Sequence, residues 1–252
     1  RQMCIRDRAF IVLYFMQIPE PAQEIEAQKE SAEGVKDPHS ALSFRHFILG
    51  AVAIFLYVGV EVGIPNFVNL FLSTPVDAVD SVPGLGYEAA LAGSICGTYW
   101  FLMLIGRLFG GFLGAKFSSK AMLTFVSLLG LLFVLLAIFL PETIKVDMPV
   151  FQSDISFGLA EVPIGIMFLI LCGLCTSVMW GGIFNLAVEG LGKYTAMASG
   201  IFMVMVCGGG ILPLIQGYVA DISNYLSSYW VIIAGLAYML FYALVGLSLI
   251  HI

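Results

Sequence analysis

Six stretches of this chain are each long and apolar enough to cross a lipid bilayer as a helix, and that limits the fold more than any motif does. A bilayer core takes about 20 mostly apolar residues per helix. The runs at roughly 46–72, 89–114, 121–140, 163–186, 197–220 and 227–249 all meet that length. They are continuous, without the alternating polarity of barrel strands, so they read as helices. Residues 9–19 form a further apolar stretch of about half the required length. The chain is 60% hydrophobic and 11% charged, against about 25% charged in soluble domains. That excludes a soluble enzyme, a nucleic-acid-binding protein and a disordered linker as readings of the whole chain. Four of the five cysteines (Cys96, Cys172, Cys175, Cys207) lie in apolar runs, which argues against a secreted disulfide framework.

The distribution of Lys and Arg sets the orientation. Arg1, Arg6 and Arg8 stand in a short leader, residues 1–8, with neither an initiator Met nor a signal-peptide layout, and it reads as non-native sequence. Numbering the remaining connections alternately, one side collects Lys29, Lys36, Arg45, Arg107, Lys116, Lys120 and Lys193, and the other Lys145 alone. The first side is therefore expected to be cytoplasmic, together with the C-terminus. Residues 9–19 read as the end of a truncated helix. The hydrophilic stretch 20–45, punctuated by Pro21 and Pro38 and rich in Glu and Lys, reads as a cytoplasmic linker leading into a bundle over 46–249.

The six spans divide into two sets of three. Gly59 followed by Phe67-Val68-Asn69-Leu70 in the first set parallels Gly173 followed by Ile183-Phe184-Asn185-Leu186 in the second. Repeats of three spans insert upside down relative to each other, the inverted-repeat plan of secondary transporters. The run Gly106-Arg107-Leu108-Phe109-Gly110-Gly111-Phe112-Leu113-Gly114-Ala115-Lys116 resembles the motif after the eighth helix of the major facilitator superfamily. Glu189-Gly190-Leu191-Gly192-Lys193-Tyr194-Thr195, with Gly208-Gly209-Gly210 through Pro213, Gln216 and Asp221, is similar to the region of helices ten and eleven in the fucose–galactose–glucose:proton symporter family. Leu56-Tyr57-Val58-Gly59-Val60-Glu61-Val62 looks like that family's seventh helix. The resemblance implies an all-α, polytopic membrane fold of two six-helix bundles around a cavity. This chain would supply the end of helix six, the central linker and the second bundle, and its partner would be the N-terminal half.

Glu61 is the one acid deep within a span; the other sixteen of the seventeen lie in loops, at helix ends or in the leader. A charge at mid-bilayer costs about 2.5–3.5 kcal/mol on insertion scales, so Glu61 is a candidate for substrate binding or proton coupling, with hydrogen-bonding glue between helices as the structural alternative. Asn69 lies about 80° round the helix from Glu61 at 100° per residue, and Pro65 between them frees a backbone carbonyl. Asn66 is expected to face a neighbouring helix. Thr176 and Trp180 share a face of the fourth span, with Asn185 further on. Asn and Glu suit sugar hydroxyls and Trp suits the C–H face of a sugar, so Glu61, Asn69, Thr176, Trp180 and Asn185 are the candidate substrate contacts.

Arg107, Lys116, Glu189 and Lys193 are expected to form a cytoplasmic gate, Arg107 and Lys116 pairing with Glu189. Gly106-xxx-Gly110-xxx-Gly114 and Gly208–Gly210 are expected to let helices approach closely. Cys172-Gly173-Leu174-Cys175 has zinc-like spacing but no second pair or nearby His, and reads as packing. No cofactor or metal is called for. The leading function is import of a monosaccharide by proton symport in a bacterial inner membrane. A permease for another small solute, or a sensor with a transporter-like fold, remains as the alternative. With no His-Glu-x-x-His or Gly-x-Ser-x-Gly run and no His at mid-depth, an enzyme is not expected.

Overall fold

The computed structural model describes residues 40–78, 82–152 and 156–245. The leader, the apolar stretch 9–19 and the linker up to residue 39 lie outside the described residues. Among those described, seven α-helices are formed: α1 (Arg45–Ser73), α2 (Ala89–Gly114), α3 (Ser119–Phe139), α4 (Ile164–Val188), α5 (Thr195–Met205), α6 (Gly208–Ile222) and α7 (Tyr225–Val245). Six helical segments are long and apolar enough to cross a membrane, because Gly192–Ile222 acts as one span. Their positions follow the six apolar runs closely.

Gly192–Ile222 contains a feature not expected from the sequence. Val206 and Cys207 separate α5 from α6, yet both keep right-handed helical dihedrals (φ −57°, ψ −20° and φ −55°, ψ −18°). Gly209 N–H donates to the Val206 carbonyl and Gly210 N–H to the Cys207 carbonyl, each at 3.0 Å. These i→i+3 bonds are a turn of 3₁₀ helix inserted in the span. The local cause is composition. Gly208-Gly209-Gly210 lowers helix propensity by about 1 kcal/mol per residue relative to Ala, and Pro213 removes the N–H that would bond the Gly209 carbonyl.

Helix α1 is the hub. Going up the chain it meets α4 and α7 running the other way: Gly50 faces Ala187 and Tyr242, Tyr57 reaches the Thr176 carbonyl, and Tyr229 reaches the Ile64 carbonyl. Against α6 it runs parallel, with Phe55 opposite Gly208, Gly59 opposite Leu212 and Gly63 opposite Gln216. The close approaches depend on missing side chains: a Cβ at Gly208 would collide with the Phe55 carbonyl, and one at Gly106 with Ser177 of α4. The glycine motifs therefore divide. Gly106, Gly110, Gly208 and Gly209 lie at helix contacts, whereas Gly114 and Gly210 have nothing within 4 Å of an added Cβ.

The loop between α3 and α4 folds as an antiparallel hairpin, β1 (Lys145–Phe151) and β2 (Phe157–Pro163), with Lys145 opposite Pro163 and Phe151 opposite Phe157. Period-2 alternation buries Met148, Val150, Ala160 and Val162 on one face. Thr98 of α2 anchors it, its Oγ1 accepting from the Phe151 N–H at 2.9 Å, and Phe101 stacks on Phe151 with centroids 4.9 Å apart. Large apolar side chains such as Phe112, Phe125, Phe139 and Leu214 stand exposed on the helices' outer faces. That is far more exposed apolar surface than a water-soluble monomer presents, and it suits a lipid-facing wall.

Candidate functional site

The site is built where α1, α2 and α4 meet. Near the middle of α1, Glu61 Oε1 accepts a bond from Arg107 Nη2 of α2 at 2.8 Å. The Glu61 side chain is 13% exposed and that of Arg107 53%. The carboxylate is thus enclosed against the helices while the guanidinium faces open space. Arg carries five N–H donors, and one of those of Arg107 is given to Glu61. Arg107, Ser177, Trp180 and Gly181 line a cavity of about 410 Å³. A neighbouring groove of about 270 Å³ runs from Arg107 along Gly110 and Gly114 to Ser119, Gly182 and Asn185.

Beneath the ion pair lies a buried hydroxyl network. Tyr99 of α2 donates to the Glu61 carbonyl at 3.2 Å and lies 3.0 Å from Thr176 Oγ1 of α4. Tyr57 of α1 donates to the Thr176 carbonyl at 3.1 Å and meets Trp180 edge to face, centroids 6.1 Å apart. Cys96 Sγ donates to the Pro65 carbonyl at 3.3 Å.

The residues singled out from sequence separate into three groups. Trp180 lines the cavity with Arg107, Glu61 stands behind it through its bond to Arg107, and Asn185 lines the adjoining groove, 3.5 Å from Ser119 Oγ. Thr176 is fully buried, its hydroxyl shared among Tyr99 and the carbonyls of Cys172 and Gly173, so it is scaffold under the cavity rather than cavity wall. Asn69 is exposed on α1 away from the ion pair, and Asn66, expected to face a neighbour, is exposed as well.

The gate expected from sequence is not assembled as drawn. Arg107 lies about 10 Å inside the end of α2 at 1.5 Å per residue and pairs with Glu61, not with Glu189. Glu189 instead shares a recess of about 460 Å³ with Lys120, Ser118, Ser119 and Asn185, and its carbonyl accepts from His46 Nε2 at 3.0 Å. Lys116 is exposed in the α2–α3 turn, and Lys193 Nζ lies over the Tyr194 ring at 5.2 Å. Arg107 is the residue whose role the charge count obscured. Its place within an apolar run, opposite a lone acid on another span, was the available signal, since intramembrane charges pair. Ser177, Tyr57 and Tyr99 carried no comparable signal. Cys172 and Cys175 are buried free thiols within the core.

Comparison with known proteins adds the following. The family model for the Major Facilitator Superfamily matches residues 9–214. The glucose/galactose transporter of Brucella abortus is 30% identical over 236 residues, covering 94% of this chain and 50% of that protein. The L-fucose-proton symporter of Escherichia coli is 24% identical over 177 residues, covering 70% of this chain and 34% of that one. The crystal structure of the transporter FucP in the outward conformation superposes with a TM-score of 0.64 at 23% identity, over 80% of this chain and 42% of that one. The chain spans about half the length of the curated relatives it matches most fully. Six membrane-length helices, the fold shared with FucP and the family match over most of the sequence lead to one conclusion: the chain belongs to the Major Facilitator Superfamily.

Proposed function

We propose that this chain is one six-helix half of a secondary active transporter that imports a monosaccharide of the glucose, galactose or fucose type together with protons. The second half of the cavity would come from a further six-helix bundle of the same protein, and the two would alternate in access. The ion pair at mid-depth carries the reading: Arg107 holds Glu61 yet presents unfilled donors to a cavity flanked by the Trp180 ring. Sugar recognition needs that combination, charged hydrogen-bond donors for hydroxyls and an aromatic edge or face for the C–H surface. Asn185 and Asn69 are further proposed contacts along the path, and Thr176 supports the site from below.

Glu61 is the proposed coupling carboxylate of this half. A proton on Glu61 would cancel the charge that holds Arg107 and release the guanidinium to the sugar. The Lys/Arg-rich rim, with Lys116, Glu189 and Lys193, is assigned to the cytoplasm of a bacterial inner membrane and would latch against the other bundle.

Counterflow of labelled glucose, galactose and fucose in vesicles carrying the intact protein tests the reading. Exchange of one of these sugars, with uptake abolished by a protonophore, is the expected result. Glu61→Gln is expected to keep counterflow but lose protonophore-sensitive accumulation. No exchange with any sugar removes the substrate assignment, and sodium-dependent uptake insensitive to a protonophore removes the proton.

A further inference from the structure

Pro65 has no N–H, so the Glu61 carbonyl, its partner four residues back, loses its helical donor. A buried carbonyl without a donor is costly, and in lipid no water replaces it. The hydroxyl that takes its place belongs to a different helix, Tyr99 of α2, at 3.2 Å. The same hydroxyl lies 3.0 Å from Thr176 Oγ1 of α4.

Each hydroxyl has one proton, which fixes where the Tyr99 proton goes. A carbonyl only accepts, so Tyr99 spends its proton on Glu61, and in any bond between Tyr99 and Thr176 the Tyr99 oxygen is the acceptor. Thr176 Oγ1 also reaches the Cys172 carbonyl at 3.2 Å and the Gly173 carbonyl at 3.3 Å; with its proton on either of them, Tyr99 still donates to Glu61 and only the Tyr99–Thr176 contact is lost. The fixed bond therefore runs from α2 to α1 and ends on the main chain of the residue whose carboxylate meets Arg107. Tyr99 is fully buried and touches neither cavity, so it acts through Glu61.

We infer that Tyr99 is a positioning residue: its hydroxyl replaces the helix bond that Pro65 deletes and so fixes the Glu61 main chain, and with it the carboxylate, in register with Arg107. The inference rests on the reading of Glu61 and Arg107 as the transport site, but its test does not depend on which solute moves.

Tyr99→Phe removes the hydroxyl and keeps the ring, and two thermal-melting cycles on the purified intact protein decide the matter. In the first, Tyr99→Phe is made with Pro65 present and with Pro65→Ala, which returns an N–H to the Glu61 carbonyl. Tyr99→Phe is expected to lower the melting temperature by a few degrees beside Pro65, and by less than half as much beside Ala at that position. In the second, Glu61→Gln is made with and without Tyr99→Phe. If Tyr99 sets the ion pair, the loss on Glu61→Gln shrinks once the hydroxyl is gone, whereas a tyrosine that merely packs gives additive losses. Additivity in either cycle overturns the inference. Absence of sugar exchange by the wild-type protein in the counterflow assay would instead count against the transport reading and leave both melts to be judged on their own.

Discussion

The triplet Gly208-Gly209-Gly210 allows three chemically identical substitutions with three different outcomes. Alanine at 208 sets its Cβ on the Phe55 carbonyl, with Phe55 Cα only 3.0 Å off, so main chain meets main chain and neither can rotate away. Overpacking of this kind costs about 1–3 kcal/mol, and an unyielding partner places it near the top. Against that, Gly→Ala within a helix gains about 1 kcal/mol, leaving a net loss of about 2 kcal/mol at 208. At 209 the new Cβ meets Val58 Cγ1 at 2.9 Å, a methyl that can turn aside, so cost and gain nearly cancel. At 210 nothing lies within 4 Å, so only the gain of about 1 kcal/mol remains. The spread between the outer two is then about 3 kcal/mol. At about 2 °C per kcal/mol for a protein of this size or larger, it is about 6 °C in melting temperature. Fluorescence-monitored melting of the three purified variants in one detergent is the assay. Three coincident melts, or Gly210→Ala melting below Gly208→Ala, would refute the packing of α6 on α1 described above.

Three other outcomes are expected. Arg107→Met should cost about 1–3 kcal/mol by leaving Glu61 alone in the span, discounted because the guanidinium is half exposed, and the double variant Glu61→Leu/Arg107→Met should recover much of that loss in the same melting assay. Thr98→Val deletes the acceptor of the Phe151 N–H, worth about 1 kcal/mol, so hydrogen exchange at that amide should quicken about fivefold while amides in the middle of α4 stay unchanged. The α2–α3 turn and the hairpin lie at opposite ends of α3, whose 21 residues span about 31 Å. Cysteines replacing Lys116 and Lys145 should therefore react with an impermeant maleimide from opposite sides of the membrane, and labelling of both from one side would break the topology.

The spans were legible because length and apolarity alone decide whether a helix can cross lipid, and both are written in the residue order. Glu61 was legible for the same reason, as an acid where acids are expensive. Arg107 was misplaced because the side-to-side count of basic residues treats any Arg near a helix end as a loop charge, and only the tertiary fold brings its partner on α1 within reach. The depth of Thr176 was hidden by α4 itself, which is apolar on every side, so no periodicity marks which stripe turns inward. The hairpin was hidden by brevity: the alternation over 145–151 and 157–163 is short, and its anchors, Thr98 and Phe101, come from another helix.

Helix α1 is held in a way that bears on motion. Tyr238, Tyr99, Tyr229 and Cys96 bond the main-chain carbonyls of Leu49, Glu61, Ile64 and Pro65, drawing on α7 and α2 from two directions. A cylinder gripped at its spine cannot spin or slide by a fraction of a turn without releasing several grips together. At about 1 kcal/mol per bond, turning α1 on its axis costs about 4 kcal/mol, so sliding along contacts that carry fewer such grips is the cheaper motion for this bundle.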